Sequence, residues 1–395
     1  MPGPLSGTTV IDFTRVLSGP YCTMVLADLG ARVIKIEHPV RGDDTRHWGP
    51  PFVATESAYF LSINRNKESL TLDFKKPEGQ VVLDRLLANA DVMVENFRPG
   101  TLEDAGLGIE SLAQRFPRLI CCSISGYGQT GPRRHEPGYD AVMQAEGGLM
   151  SITGERDGPP YRLGVAITDI VSGLFAAQGV LAALLARATT GRGQRVDIGM
   201  LDATTALLTY QAGAYFVSGE VPARMGNRHP TITPYESYET ADGDLVIAGG
   251  NDDIWRRLCK ALGLDELPDD PRFLTNKDRV AHRSDLRPIF DRVIKTRSRA
   301  EWVERLMKAG VPCGSVREIS EVLADPQIAA RGMVAEVDHP TVGTTRVIGS
   351  PLKLSETPSS VRTAPPTLGQ HTDAVLTEIG YDSVAIADLR ATGVI

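Results

Sequence analysis

The sequence has few cysteines, no block of like charge and no long uninterrupted apolar segment. Its five cysteines, among 395 residues, are odd in number and lack the closely spaced pairs of a zinc site, which indicates free thiols in a reducing compartment. The formal charge is −7, from 42 basic and 49 acidic residues, so we expect neither nucleic acid nor an anionic membrane as a partner. Local cationic groups must therefore meet any anionic ligand.

The N-terminal segment MPGPLSGTTVID lacks the basic and apolar regions that are typical of a signal peptide. The most apolar window, residues 170–186, is short for a membrane span and contains Gln178, with Asp169 at its edge. We interpret this window as a buried helix. The sequence thus predicts a cytoplasmic protein without membrane contact.

Strand-like and helix-like segments alternate over the first half of the chain. TTVID, RVIKIE, SLTLDF, DVMVEN and LICCSIS predict strands, and the segments between them predict helices, the first with Ser18 as its N-cap. A helix follows near Asp169, and then the strand QRVDIGM. This order is typical of an α/β protein with a Rossmann-like parallel sheet.

The pattern changes near residue 221. YESYETADGDLVIAGG predicts an antiparallel hairpin with a turn at Asp242 and Gly243, and helical segments continue through Gly310. Short strands and an amphipathic helix return near the C-terminus. We therefore predict the first part of a large domain over 1–220, a smaller α+β domain over 221–325 and a C-terminal part over 326–395 that returns to the large domain.

Residues 126–131, GYGQTG, fit the glycine pattern of a dinucleotide site and follow a predicted strand. Such a site needs a helix directly after the glycines to receive the pyrophosphate, but PRRHEPG continues as a loop. We therefore expect no nicotinamide cofactor, although a nucleotide-binding oxidoreductase is the alternative this motif raises. Paired aspartates at 43–44, 252–253 and 269–270 lack a nearby ligating histidine, and we expect helix caps there and no metal.

Several long motifs resemble the class III CoA-transferases, the CaiB/BaiF family. They cover nearly the whole chain in order: DFTRVLSGPYCTMVLADLGARVIKIEHP, NRNKESLTLDFK, VENFRPGTLEDAGLG, GYGQTGP, PGYDAVMQAEGGLMSITG, AITDIVSGLFAAQGVLAALLARATTGRGQRVDIGMLDA and PTLGQHT. The resemblance implies a large domain made of both chain ends, a smaller inserted domain, and a homodimer of two interlocked subunits. It also implies that coenzyme A enters as an acyl-CoA substrate, together with small carboxylic acids.

The family nucleophile matches Asp169, in AITDIVSG. This residue lies at the predicted start of a helix, where the positive end of the helix dipole favours a carboxylate; without the motifs an N-cap aspartate would be the simpler interpretation. An aspartate is ordinarily ionised at neutral pH and can attack a thioester to give a mixed anhydride and CoA thiolate. Attack of the thiolate on that anhydride would then give an aspartyl-CoA thioester.

The resemblance also indicates residues around CoA and the acyl group. At CoA we expect Leu72, Asp73, Phe74, Lys75, Asn96, Phe97, Arg98, Tyr139 and Asp140. Arg15, Arg133 and Arg134 are further candidates there, as cationic partners of an anionic ligand. Those expected in the substrate pocket are Leu17, Trp48, Tyr59, Arg228 and His229. Of these, Arg228 or His229 is the candidate for binding the distal carboxylate of a dicarboxylic acid.

Four features separate CoA transfer between dicarboxylates from its rivals. Leu17 stands where formyl-CoA:oxalate transferases carry a glutamine, and their glycine-rich loop has no counterpart, which argues against oxalate. GNRHPTITPY, PTVG and PTLGQHT resemble the branch that uses succinyl-CoA or glutarate. Tyr139 replaces the histidine of 2-methylacyl-CoA racemases, and a phenol is a poor base at neutral pH. A non-catalytic CoA-binding protein, the remaining alternative, would need no reactive Asp169.

Overall fold

The computed structural model describes residues 2–395, and its first half alternates strands and helices. The strands up to residue 218 are β1 (Thr9–Asp12), β2 (Arg32–Glu37), β3 (Phe52–Val53), β4 (Glu56–Ser57), β5 (Lys67–Thr71), β6 (Val92–Glu95), β7 (Ile120–Ser125) and β8 (Arg195–Gly199). The helices are α1 (Ser18–Asp28), α2 (Ala58–Ile63), α3 (Pro77–Ala88), α4 (Thr101–Asp104), α5 (Ile109–Arg115), α6 (Asp140–Glu146), α7 (Leu149–Ile152), α8 (Ile167–Thr190), α9 (Met200–Ala206) and α10 (Thr209–Ser218).

The rest of the chain begins with the predicted hairpin and ends with two helices. Its strands are β9 (Tyr235–Glu239), β10 (Asp244–Ala248), β11 (Cys313–Ser315), β12 (Val334–His339) and β13 (Gly343–Ile348). Its helices are α11 (Asp252–Leu262), α12 (Asn276–Ala281), α13 (Arg283–Ile294), α14 (Arg299–Lys308), α15 (Ile319–Leu323), α16 (Pro326–Ala330), α17 (Thr372–Glu378) and α18 (Ser383–Ala391). Gly243, at the tip of the β9–β10 hairpin, has a φ of 142°.

The described chain divides into two compact units. The first contains residues 2–149, Arg162–Val217 and Pro326–Ile395, and the second contains Met150–Tyr161 and Ser218–Asp325. Residues 150–161 lie within the 1–220 range that the sequence assigned to the large domain. They belong to the second unit because Gly226 N donates to Gly154 O at 2.8 Å and the Arg224 guanidinium donates to the carbonyls of Glu155 and Gly158.

The first unit is built on a six-stranded sheet in the order β5-β2-β1-β6-β7-β8. Every adjacent pair is parallel, with Val10 opposite Val33 on one side and Val92 on the other. The prediction of an α/β protein with a parallel sheet is confirmed. From β1 the chain extends the sheet in one direction, through β2 and β5, and from β6 it extends the sheet in the other, through β7 and β8. The loops after β1 and β6 therefore diverge, and ligands bind at such a point in open parallel sheets.

Apolar side chains cover both faces of this sheet. Consecutive strand residues point to opposite faces, so Val10 and Val33 pack against α1 and α8, whereas Ile11 and Ile34 pack against α3, α17 and α18. This burial on both faces explains why the strands are almost continuously apolar. The second unit has its own core around the buried Trp255 of α11.

Helix α8 is less buried than the sequence predicted. One face packs against α1 and the sheet, but Leu174, Phe175 and Leu185 are 38%, 37% and 75% exposed, so the expectation of a buried helix was wrong for the single chain. By length and composition α8 is also long and apolar enough to cross a membrane, a property that core helices of globular proteins share. No other part of residues 2–395 covers the exposed apolar side chains Leu174, Phe175 and Leu185.

Candidate functional site

Asp169 is the third residue of α8, and a second aspartate holds the start of that helix. The backbone N–H and the hydroxyl of Thr168 donate to Asp140 Oδ1 at 2.9 and 2.7 Å, and the Gln144 amide donates to Asp140 Oδ2 at 2.8 Å. Asp140 therefore satisfies a free N–H at the helix start. The sequence grouped Asp140 with the CoA-binding residues, but its carboxylate is occupied by these bonds and it positions the turn that carries Asp169.

The Asp169 carboxylate makes no hydrogen bond or ion pair within residues 2–395. Burial and, to a smaller extent, the nearby charge of Asp140 together raise its pKa to about 7. These effects outweigh the stabilisation expected from the helix N-terminus. The sequence-based expectation that this carboxylate is ionised at neutral pH therefore needs correction, because its pKa lies near neutral pH and the protonated form is populated there in the free protein.

Asp169 borders a cavity of about 170 Å³ at the carboxyl ends of β1, β6 and β7, here called the Asp169 cavity. It brings together residues that are far apart in the sequence. Its lining residues include Arg15, Asn96, Phe97, Arg98, Tyr139 and Asp169, all of them expected from the sequence, and also Ser125, Gly126 and Glu136. The structure thus places an unpaired carboxylate and two guanidinium groups around one small cavity.

A second cavity, of about 260 Å³, shares Arg15, Asp44 and Phe97 with the first and is here called the Lys75 cavity. Asp44 lies 3.5 Å from the Arg15 guanidinium. The expected residues Leu72, Asp73, Phe74 and Lys75 line it, and Phe13, Phe74 and Phe97 form an aromatic cluster on one side, with ring centroids 5.3 and 6.2 Å apart. An aromatic wall next to a lysine suits a flat heterocycle that carries phosphates.

Two residues that line the Lys75 cavity, His38 and Arg41, were not predicted from the sequence. Both lie in the loop that follows β2, and a charged loop at the carboxyl end of a parallel strand was the signal that could have found them. Arg41 and Lys75 of this cavity, and Arg98 of the Asp169 cavity, form no ion pair within residues 2–395, so all three cations are free to meet an anion. Lys35, by contrast, is buried and already bound to Asp43 at 2.8 Å.

Asn96, which lines the Asp169 cavity, also joins two loops of the first unit. Its amide oxygen accepts from Arg15 N at 2.8 Å, and its amide N–H donates to Arg15 O at 2.8 Å. The side chain therefore fastens the loop after β6 to the loop after β1. The adjacent Val16 has a φ of 68°, a conformation that a β-branched residue rarely adopts. Asn96 holds Arg15 and this strained turn in place beside Asp169.

The expected substrate residues Leu17, Trp48 and Tyr59 form an apolar wall in the first unit. Leu17 is buried with Ile63, and Tyr59 and Ile170 pack against this group. The Trp48 and Tyr59 rings meet edge to face, 5.3 Å apart. Burial and the charge of Asp169 raise the pKa of Tyr59 to about 12, so its phenol keeps its proton and can donate a hydrogen bond.

Arg133 and Arg134 do not line either cavity. Arg133 bonds to Glu136 at 2.6 Å and to Glu146 at 2.7 Å and stacks on Tyr127, while Arg134 donates to the His135 ring. The sequence predicted that both arginines help to bind an anionic ligand. The Arg133 guanidinium, however, is already bound to two carboxylates.

Gly126, the first glycine of GYGQTG, allows close packing of the backbone. A Cβ added to Gly126 would lie 2.7 Å from the Gly138 Cα, so the loop after β7 folds back against the segment that leads into α6. No helix begins until Asp140, as the sequence predicted.

The remaining expected residues, Arg228 and His229, lie in the second unit. Arg228 lines a cavity of about 370 Å³ within that unit, whereas His229 does not. Burial lowers the pKa of His229, and its ring packs against Tyr235 at 5.3 Å. Because its imidazole is neutral near pH 7, His229 does not supply the positive charge that a carboxylate would need.

Comparison with known proteins relates this arrangement to one family. Residues 5–372 match the CoA-transferase family III. The chain is 45% identical to succinyl-CoA:glutarate CoA-transferase of Mus musculus, over 99% of the chain and 90% of that protein. It is 43% identical to succinate–glutarate CoA-transferase of Agrobacterium fabrum, over 95% and 96%.

A solved CaiB/BaiF family protein from Brucella suis superimposes with a TM-score of 0.87 at 42% identity, over 96% of this chain and all of that one. The matches span nearly the full length and include the segments that form both cavities of the first unit. The resemblance stated from the motifs is therefore confirmed, and the chain belongs to the family III CoA-transferases, enzymes whose substrates are CoA thioesters.

Proposed function

We propose that the protein transfers CoA from succinyl-CoA, or a similar dicarboxylyl-CoA, to a carboxylic acid acceptor, and that Asp169 is its nucleophile. The single observation that carries the mechanism is the unpaired Asp169 carboxylate at a cavity that also contains Arg15 and Tyr139. The names of the relatives support the choice of succinyl and glutaryl groups.

The first step is attack of an Asp169 carboxylate oxygen on the thioester carbonyl. The C–S bond breaks, CoA leaves as the thiolate, and a mixed anhydride joins Asp169 to the acyl group. The thiolate then attacks the aspartyl carbonyl of this anhydride. The acyl group leaves as the free acid anion, and Asp169 holds CoA as a thioester.

The acceptor acid completes the reaction by the same two steps in reverse. Its carboxylate attacks the aspartyl-CoA thioester, releases thiolate and forms a second anhydride, and the thiolate then attacks the acceptor carbonyl. One thioester is consumed and one is formed, and no net proton is taken up or lost. Asp169 must therefore enter the cycle as the carboxylate and leaves it as the carboxylate.

Water would destroy both intermediates, so the site must be dry and must stabilise negative oxygen atoms. The apolar wall of Leu17, Trp48 and Tyr59 supports the exclusion of water. The protonated Tyr59 phenol and the guanidinium of Arg15 supply donors in the first unit. Leu17 offers no hydrogen bond, which supports an acceptor other than oxalate.

The decisive test is to trap the acyl-enzyme. The protein is incubated with succinyl-CoA, treated with hydroxylamine or borohydride, digested and analysed by mass spectrometry. We expect a hydroxamate or an alcohol at Asp169 and at no other acidic residue. Unmodified Asp169 under conditions in which CoA transfer is observed would rule out the proposed nucleophile.

The Lys75 cavity is the proposed binding place of the CoA nucleotide, because its unpaired cations lie beside an aromatic wall. Replacing Lys75 by alanine removes one charge-assisted phosphate contact, so KM for the acyl-CoA should rise several-fold to about 10-fold while kcat changes little. Steady-state kinetics with varied succinyl-CoA measure both constants. Lys277→Ala in α12 is the control, and an unchanged KM in Lys75→Ala would place the nucleotide elsewhere.

We also propose that the protein is a homodimer, because the first unit carries a large exposed apolar surface on α8 and α10. Leu185 on α8 and Phe216 and Val217 on α10 are 75%, 80% and 91% exposed, and exposed apolar surface of this kind marks a protein–protein contact. We expect twice the mass of 42.6 kDa in light scattering. The double variant Phe216→Glu, Val217→Glu should shift the protein towards monomer, and an unshifted dimer would mean that this surface lies outside the interface.

A further inference from the structure

Residues 14–16, here called the Arg15 turn, follow β1 and lie outside regular secondary structure. Arg15 lines both cavities of the first unit, and its guanidinium carbon lies 5.4 Å from the centre of the Phe97 ring, which both cavities also share. Val16 lines the Asp169 cavity with a φ of 68°. The position of the Arg15 guanidinium therefore depends on whatever holds this strained turn.

A buried ion pair between Lys35 and Asp43 bonds to the turn on both sides of Arg15. The ammonium and the carboxylate are 2.8 Å apart, and both side chains are 0% exposed. Lys35 Nζ donates to Thr14 O at 2.7 Å, and Val16 N donates to Asp43 Oδ1 at 3.3 Å. The residue before Arg15 and the residue after it are thus each bonded to one member of the pair.

Asp43 also orients Asp44, which contacts the Arg15 side chain. Asp43 Oδ1 accepts from the N–H and the hydroxyl of Thr45 at 2.9 and 2.8 Å, and so caps the short helical turn Asp44–His47. Asp44, the first residue of that turn, lies 3.5 Å from the Arg15 guanidinium. The same carboxylate therefore bonds to the backbone of the Arg15 turn and fixes the residue that pairs with its side chain.

Stability alone explains this ion pair poorly. Moving two charges out of water is costly, and apolar side chains of similar size in place of a buried ion pair often leave a protein equally stable or more so. Strained residues such as Val16 persist only where surrounding bonds fix them, and they concentrate at active sites. The bonds of the pair to Thr14 and Val16 fix the turn in this way.

We propose that Lys35 and Asp43 are positioning residues for CoA transfer. They hold the Arg15 turn, so that the Arg15 guanidinium is already in place when negative charge develops beside Asp169. A donor that is preorganised in this way needs no rearrangement during the reaction. The inference rests on the proposed function for the reaction, and the pair acts through Arg15.

The test uses the double variant Lys35→Met, Asp43→Asn, which removes both charges together and leaves neither partner buried without the other. We expect kcat for transfer from succinyl-CoA to glutarate to fall by about 10- to 100-fold, because a displacement of about 1 Å can have an effect of that size. KM for succinyl-CoA should change by less than about 3-fold, since the lost interaction is made in the transition state. Steady-state kinetics give both constants.

The matched control is Arg65→Met, Asp28→Asn, which removes another buried ion pair of the first unit, outside both cavities. Both double variants should melt at a lower temperature than wild type, but the control should keep the wild-type kcat when rates are measured well below its melting temperature. A wild-type kcat in Lys35→Met, Asp43→Asn as well would mean that its ion pair is merely structural, and the inference would fail.

A second measurement asks whether the pair acts through Arg15. Arg15→Gln should itself lower kcat, and adding Lys35→Met, Asp43→Asn to it should lower kcat by less than about 2-fold more, because the positioned guanidinium is already absent. Two effects that multiply in full would contradict the inference. If the double variant fails to fold, Asp43→Asn alone replaces it, because Lys35 then keeps the nearby charges of Asp12 and Glu37. Its kcat should fall by about 3- to 10-fold.

A crystal structure of the double variant tests the positioning without turnover. We expect Val16 to leave its φ of 68° and the Arg15 guanidinium to move away from the Phe97 ring. An unchanged turn would overturn this inference alone. Absence of CoA transfer by wild type, with the turn displaced in the variant, would instead overturn the proposed function and leave the positioning of Arg15 by the pair supported.

Discussion

Replacing Asp169 by asparagine should abolish CoA transfer. The amide has no anionic oxygen to attack the thioester, so neither the anhydride nor the aspartyl-CoA thioester can form, and loss of a covalent nucleophile costs roughly 10³-fold or more in kcat. The measurement is transfer from succinyl-CoA to glutarate, followed by chromatography of the CoA esters. Asp169→Ala should show the same loss, which guards against slow deamidation of the asparagine.

The control for this variant is Asp202→Asn, which also removes a first-turn aspartate, from α9, outside both cavities. It should retain wild-type transfer. A variant of Asp169 that keeps more than about a tenth of the wild-type rate would contradict covalent catalysis by this residue. A non-catalytic CoA-binding protein would show no transfer in wild type.

The loss of CoA transfer in Asp169→Asn should not result from unfolding, since the substitution removes an unfavourable charge. The folded pKa is about 7 against 3.8 for a free aspartate, so the folded state holds the proton more tightly and its stability falls as the pH rises from about 4 to above 7. The variant should therefore melt at a higher temperature than wild type at pH 8, and this gain should shrink at pH 4. Differential scanning calorimetry at both pH values checks the sign.

The sequence predicted the framework well because its signals are local. Apolar strands, intervening helices and the turn at Gly243 are set by periodicity and by residues that tolerate unusual φ values. The predictions were wrong where a helix cap or a single glycine determines where a helix begins or ends. The segment between the strands DVMVEN and LICCSIS, where the sequence predicted one helix, contains two, α4 and α5, since Gly106 between them has a φ of 75°. Ser18 is the first residue of α1 and not its cap, which is Leu17.

The site was predicted mainly through the family motifs, and the roles of several residues could not be read from the sequence. Asn96 and Arg15 are 81 positions apart, yet their two hydrogen bonds form only because β1 and β6 are neighbours in the sheet. The ion pair between Arg133 and Glu146 likewise forms only because of how the loop after β7 folds. Such partnerships are long-range, so a residue type and its neighbours in sequence do not reveal them.

The pH profile of transfer should be set by the pair Asp169 and Asp140. Only the carboxylate attacks, so kcat/KM for succinyl-CoA should rise with pH, with a midpoint of about 7, and level off above it. Asp140→Asn removes a negative charge that raises the Asp169 pKa, so the midpoint should move to lower pH. Because burial is the larger cause and persists in the variant, the midpoint should stay above 3.8, the ordinary value for an aspartate.

The same variant weakens the anchor of α8, because an amide accepts less strongly than the charged carboxylate that binds Thr168 and Gln144. We therefore expect a lower plateau rate as well as the shifted midpoint, and a purely structural role for Asp140 would lower the plateau alone. Rates measured between pH 5.5 and 9 at constant ionic strength separate these outcomes, with Asp202→Asn as the charge-matched control. A midpoint that stays at the wild-type position in Asp140→Asn would show that Asp140 does not tune the nucleophile, and burial would then be the sole cause of its raised pKa.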